Sequence, residues 1–135
     1  MSKVEVTVRY AILKKSFDTF GKMENYVKAK VNNGLGTTTE FKTKTLDGGV
    51  KEKPITWNET FSTSLRPGSG AQIEFIVMDE DVTKDDLCGR GFFKLDSNCC
   101  FNYGQEQRYN IRLQTEKGDE EIGSLHITTR FTWSA

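Results

Sequence analysis

Between Asp79 and Asp86 the chain sets four aspartates and one glutamate in eight positions, DEDVTKDD, directly after the apolar run Ile73–Val77. Carboxylates crowded within a few ångströms repel one another and raise their own pKa values unless a cation sits among them. A second acidic segment, KSFDTFGKMENYV, carries Asp18 and Glu24. If the two loops share one end of the fold, Asp18, Glu24, Asp79, Asp81 and Asp86 converge. The cation that suits such a set is calcium, a hard ion taking about six to eight oxygen ligands in flexible geometry. A transition metal would ask for His or Cys, and only Cys88 lies near. The bland alternative is a solvated acidic loop kept for solubility.

Other chemistries fit less well. Read as an EF-hand, DEDVTKDDLCGR has Lys84 where the sharp turn needs Gly and Arg90 where the bidentate Glu belongs. The single histidine, His126, falls mid-strand in GSLHITTRF, and no nucleophile elbow or phosphate-binding glycine loop is present. These features predict a non-enzyme. Lys+Arg and Asp+Glu balance at 19 each, so no overall field argues for nucleic acid. The three cysteines, Cys88, Cys99 and Cys100, lack metal-ligand spacing and read as reduced structural thiols. No apolar run has the length of a membrane-spanning helix, and the expected setting is the cytoplasm.

The elements that would position these residues are strands. Val4, Val6, Val8, Tyr10 and Ile12 alternate with Glu5, Thr7, Arg9 and Ala11, the period of a half-buried strand. NYVKAKV and EFKTKT repeat that pattern, and further strands are expected at Glu59–Ser64, Gln72–Met78, Arg90–Leu95, Arg108–Gln114 and Gly123–Trp133. Turn signals separate them: NNGLG, LDGG, RPGSG, DSN and EKGDEE. About eight short strands without an amphipathic helix predict an all-β, eight-stranded antiparallel β-sandwich. Its 135 residues suit a single domain over residues 1–135.

Motif order adds a family resemblance. DTFGKMENYV resembles the first calcium loop of C2 domains, with Asp18, Gly21, Tyr26 and Val27 in register and Glu24 in the place of the second aspartate. PITWNETF, VMDEDVTKDDLCG and GSLHITTRF resemble the family's Trp-Asn-Glu segment, third loop and closing strand, in the expected order. Asn25 stands where the family has proline. The third loop is one residue short, which leaves Asp85 and Asp86 as rivals for the last ligand; counting back from Gly89 favours Asp86. A chain that opens on the strand feeding the first loop implies the circularly permuted type II topology.

The resemblance implies calcium as cofactor and an anionic phospholipid membrane as partner, with the protein cytoplasmic and peripheral at membranes when calcium rises. Phe17, Phe20, Met23, Val82 and Lys84 are then the candidate lipid-contacting residues of the loops. Lys28, Lys30, Lys42 and Lys44 fall on strands that neighbour one another in the C2 order, a candidate surface for a phosphoinositide headgroup. The competing reading is a calcium-independent module that binds a protein partner.

Overall fold

The computed structural model describes residues 2–14, 24–47, 53–66, 70–96 and 104–133. Nine strands account for most of them: β1 (Ser2–Leu13), β2 (Glu24–Asn32), β3 (Thr38–Lys42), β4 (Leu46–Asp47), β5 (Ile55–Leu65), β6 (Gln72–Asp79), β7 (Asp86–Lys94), β8 (Glu106–Gln114) and β9 (Glu121–Trp133). The eight expected strands are joined by the two-residue β4, a rung too short to show any alternation in sequence.

Hydrogen bonding runs in the order β3-β2-β6-β7-β8-β9-β1-β5, with β4 on β2, and every pairing is antiparallel. The path creases between β7 and β8, where a single register pair, Arg90 with Gln114, joins two four-stranded layers. Glycine permits the crease: a Cβ on Gly91 would overlap the Arg112 carbonyl oxygen, and one on Gly89 would overlap Ile122. The core lies between the layers. Val27, Ala29, Ile73, Phe75, Val77 and Phe93 face Val4, Val6, Ile111, Leu113, Leu125, Ile127 and Phe131, all buried. The period-2 pattern turns one side of each strand inward, and burial of that side at roughly 25 cal/mol per Å² is the main stabilising term.

The alternation expected through β1 holds only as far as Val8. The register slips between Val8 and Tyr10 against both neighbours, so Tyr10 and Ile12 become half-buried while Ala11 and Leu13 enter the core. Opposite the slip, Asn58 takes a left-handed backbone with φ of 50°. Asn tolerates that conformation better than most residues, and an extra residue in one strand reverses which side chains face inward.

First and last strands pair along their length, from Ser2 with Trp133 to Leu13 with Gly123. At the Leu13 end lie the start of β2, the start of β5 and the β6–β7 turn, and the Ser2–Trp133 rung sits at the opposite end. The acidic segments expected to meet are therefore anchored at one end of the sandwich.

Candidate metal centre and lysine face

Two adjacent strands build the acidic end. On β6, Ile73, Phe75 and Val77 point into the core, and the same parity carries Asp79 inward, where only 6% of it is exposed. Its register partners are Asn25 on β2 and Asp86 on β7. The Glu24 backbone N–H donates to Asp79 Oδ1 at 3.1 Å, and the Glu80 N–H donates to the Glu24 carbonyl at 2.7 Å. These bonds clamp the start of β2 to the end of β6, so Glu24, Asp79 and Asp86 leave neighbouring strands side by side. Glu24 and Asp86 are exposed.

Beneath them, Asn25 is fully buried. Its side-chain N–H donates to the Met78 carbonyl at 3.0 Å and toward Cys88 Sγ at 3.7 Å, while Oδ1 has no hydrogen-bond partner. Buried polar atoms are rarely left so, and an orphaned acceptor marks a place for water or an ion. Burial, helped by the charges of Asp79 and Asp86, pushes the Cys88 thiol up to about 12, so it is a neutral packing group.

The turn between β6 and β7 is held by its own carboxylates. Asp81 Oδ1 accepts from the Val82 N–H at 2.6 Å, and Asp85 Oδ1 accepts from the Asp81 N–H at 3.1 Å. Asp85 Oδ2 accepts from the Tyr26 hydroxyl at 2.6 Å. That bond and the Asp81 N–H hold the Asp85 carboxyl below the usual carboxylate range, with Lys42 and Lys28 adding to the effect. Burial and the same Asp85 bond push Tyr26 up to about 12. The Thr45 hydroxyl bonds the Glu80 carboxylate, tying the β3–β4 connector to this turn. Val82 stands at the tip, 99% exposed, with exposed Lys84 two residues on.

Of the residues singled out in the sequence, Glu24, Asp79 and Asp86 come together at the strand ends, and Asp81 and Asp85 lie in the turn beside them. Asp85 faces Tyr26, on the side of the sheet away from the Asn25–Asp79 row. Asp18, Phe17, Phe20 and Met23 lie outside the described residues, as do Cys99 and Cys100. Among the described residues, no group of three or more His, Cys, Asp or Glu side chains is gathered closely enough to share a metal ion.

The lysines divide. Lys28 and Lys42 are register partners on β2 and β3, whereas Lys30 is opposite Glu40. Glu40 also reaches Lys28 at 3.7 Å, and Arg90 pairs with Glu74 at 3.7 Å across the same face. Lys42 Nζ lies 4.2 Å from the centroid of the Tyr26 ring, a favourable cation–π placement. Lys44 does not share the face. Strand β3 ends at Lys42, and the Lys44 backbone is captured by β5: its N–H donates to Glu59 at 2.9 Å and its carbonyl accepts from the Trp57 indole at 3.0 Å.

Sequence reasoning undervalued Asn25 and Tyr26. Asn25 was visible only as a departure from proline. Tyr26 shares its parity with Lys28 and Lys30 and follows an acidic loop, which was the available signal that it stands between the lysines and the turn.

Comparison with known proteins bears on this geometry. The family profile of the C2 domain matches residues 2–113. FT-interacting protein 3 of Arabidopsis thaliana is 32% identical over 123 residues, covering 84% of this chain and 14% of its own length. The chain spans between 7% and 14% of the curated relatives it matches. Among solved structures, the A-type C2 domain of plant extended synaptotagmin 1 superposes with a TM-score of 0.78 at 22% identity, covering 99% of this chain and 96% of that one. The calcium-bound pair of C2 domains from extended synaptotagmin 2 gives 0.66 at 21% identity, covering 96% and 45%.

Proposed function

The chain belongs to the C2 domain family, and from that premise we propose that it acts as a single-domain, calcium-dependent phospholipid-binding module, cytoplasmic and recruited to membranes when calcium rises. The observation that carries this reading is the row Asn25, Asp79, Asp86 at the mouth of the sandwich, with Glu24 clamped to Asp79. Its donors are all oxygen, which fits a hard cation, and the orphaned Asn25 Oδ1 is an acceptor awaiting a partner. Asp18, Glu24, Asp79, Asp81 and Asp86 would hold the ion. Asp85, engaged by Tyr26, is an anchor of the turn and not the last ligand. Bound calcium supplies positive charge and coordination positions open to phosphate oxygens.

The protein's own residues then set what the charged end does. Without a cation its carboxylates repel an anionic surface; with one, that barrier falls without a large motion. Val82, apolar and fully projecting, would enter the interface, with Lys84 beside it among the headgroups. Phe17, Phe20 and Met23 would add to that contact. Lys28 and Lys42, with Lys30 adjacent, form the second contact, for a phosphoinositide headgroup.

The competing reading, a calcium-independent protein-binding module, is favoured by a specific observation: Asp79, Asp81 and Asp85 each accept a hydrogen bond from within the fold. A thermal melt separates the two. Calcium in a hundredfold excess over Kd adds about 2.7 kcal/mol to the native state and is expected to raise Tm by roughly 5 to 15 °C. Magnesium should do far less. An unchanged melt in millimolar calcium removes the calcium reading.

A further inference from the structure

The donors around Asp85 form a set with a recognisable chemistry. The Tyr26 hydroxyl donates to the carboxylate at 2.6 Å. Lys42 Nζ sits over the Tyr26 ring, and Lys28 is the register partner of Lys42. A phenol O–H flanked by two ammonium groups is what a phosphate monoester requires. Here a carboxylate delivered by the β6–β7 turn already occupies it.

The geometry points to Asp85 as an internal occupant of the anion site on the lysine face, a built-in carboxylate that competes with a phosphorylated headgroup for Tyr26, Lys42 and Lys28. The inference rests on the lysine face as an anion surface, as proposed above, and adds the device that regulates it. Asp85 belongs to the turn that carries Asp81 and Asp86, and it is tied to the Asp81 backbone N–H. Turning Asp81 toward a cation strains that tie and loosens Asp85 from Tyr26. Calcium at one end and phosphate on the face thereby help each other, by reciprocal coupling through one carboxylate. The depressed Asp85 carboxyl, to which Lys42 and Lys28 contribute, agrees with an anion seated among donors.

The test titrates inositol 1,4,5-trisphosphate into the protein by calorimetry, in chelator and then in calcium. Phosphatidylcholine vesicles containing phosphatidylinositol 4,5-bisphosphate form a parallel arm that separates a lipid-borne from a free phosphate. In chelator, Asp85→Asn is expected to tighten binding of the trisphosphate roughly fivefold to tenfold, because a competing charge leaves while size and hydrogen bonding stay. Glu80→Gln removes the same charge from the same turn and should change affinity less than twofold. In the Lys28→Ala/Lys42→Ala background the Asp85→Asn gain should disappear. Calcium should tighten binding to the parent but leave Asp85→Asn nearly unchanged.

Equal gains in Asp85→Asn and Glu80→Gln would reduce the effect to bulk charge and overturn the inference. So would an Asp85→Asn protein, shown folded by its melt, with parental affinity in chelator. The chelator arm does not involve calcium, so a failed calcium melt would sink calcium dependence and leave this result standing.

Discussion

Replacing Asp79 with Asn asks whether that carboxylate holds the fold together or waits for a cation. Asp79 is 6% exposed and sits directly across from Asp86. Opposed residues on antiparallel strands have Cβ atoms about 5 Å apart, and like charges there destabilise. At an effective dielectric near 20 the repulsion at that distance is roughly 3 kcal/mol. Asp86 is exposed, so solvent screening brings it down to about 1 kcal/mol. The acceptor for the Glu24 N–H survives in Asn, at a loss of roughly 0.5 kcal/mol for the missing charge assistance. In chelator, Asp79→Asn is therefore expected to match the parent or exceed it by about 1 kcal/mol. For 135 residues, at about 2.1 cal/mol/K of unfolding entropy per residue, that is roughly 0 to 4 °C in Tm. In millimolar calcium the order should reverse, since only the parent keeps its full ligand set. Thermal denaturation followed by circular dichroism in the two buffers measures both. A mutant that melts 5 °C or more below the parent in chelator would mean that Asp79 serves as a structural acceptor, and the electrostatic reasoning would fall.

Three further outcomes follow from the same geometry. Tyr26, raised to about 12 from 10.0, ionises later in the folded than in the unfolded chain. Its contribution to stability is thus whole below pH 10 and lost as pH rises toward 12; a native absorbance titration should show one tyrosinate forming late, absent in Tyr26→Phe. Val82 touches nothing that holds the fold, so Val82→Asp should shift stability by less than about 0.5 kcal/mol yet weaken calcium-dependent vesicle binding severalfold. Cys88, 1% exposed and raised to about 12, should resist alkylation in the native protein, as read by peptide mass spectrometry, and react only on unfolding; rapid native labelling would contradict its placement.

Much of the sandwich was legible because period-2 alternation is a local signal. Val4, Val6 and Val8 declared their facing, and the turn segments declared where strands end. What alternation cannot carry is a change of register. The slip at Arg9 depends on Asn58 taking a left-handed backbone in a strand some 50 residues away, and it moves Tyr10 and Ile12 off the buried side. Lys44 was misplaced for a similar reason: β3 stops because Trp57 and Glu59, also distant in sequence, capture its backbone. In the acidic end, Glu24, Asp79 and Asp86 were readable as types at a spacing. The separation of Asp85 from Asp86 was not, since it depends on the reach of the Tyr26 hydroxyl, a contact between residues 59 apart in sequence.

Sedimentation with phosphatidylserine-containing vesicles, measured against free calcium from chelator to millimolar, tests the proposed function most directly. The account predicts little pelleting in chelator and a saturable rise with calcium. Replacing Asp79 and Asp81 together with Asn should abolish that rise, and magnesium should not reproduce it. Pelleting that is equal in chelator and calcium, or a double mutant that still responds to calcium as the parent does, would contradict it.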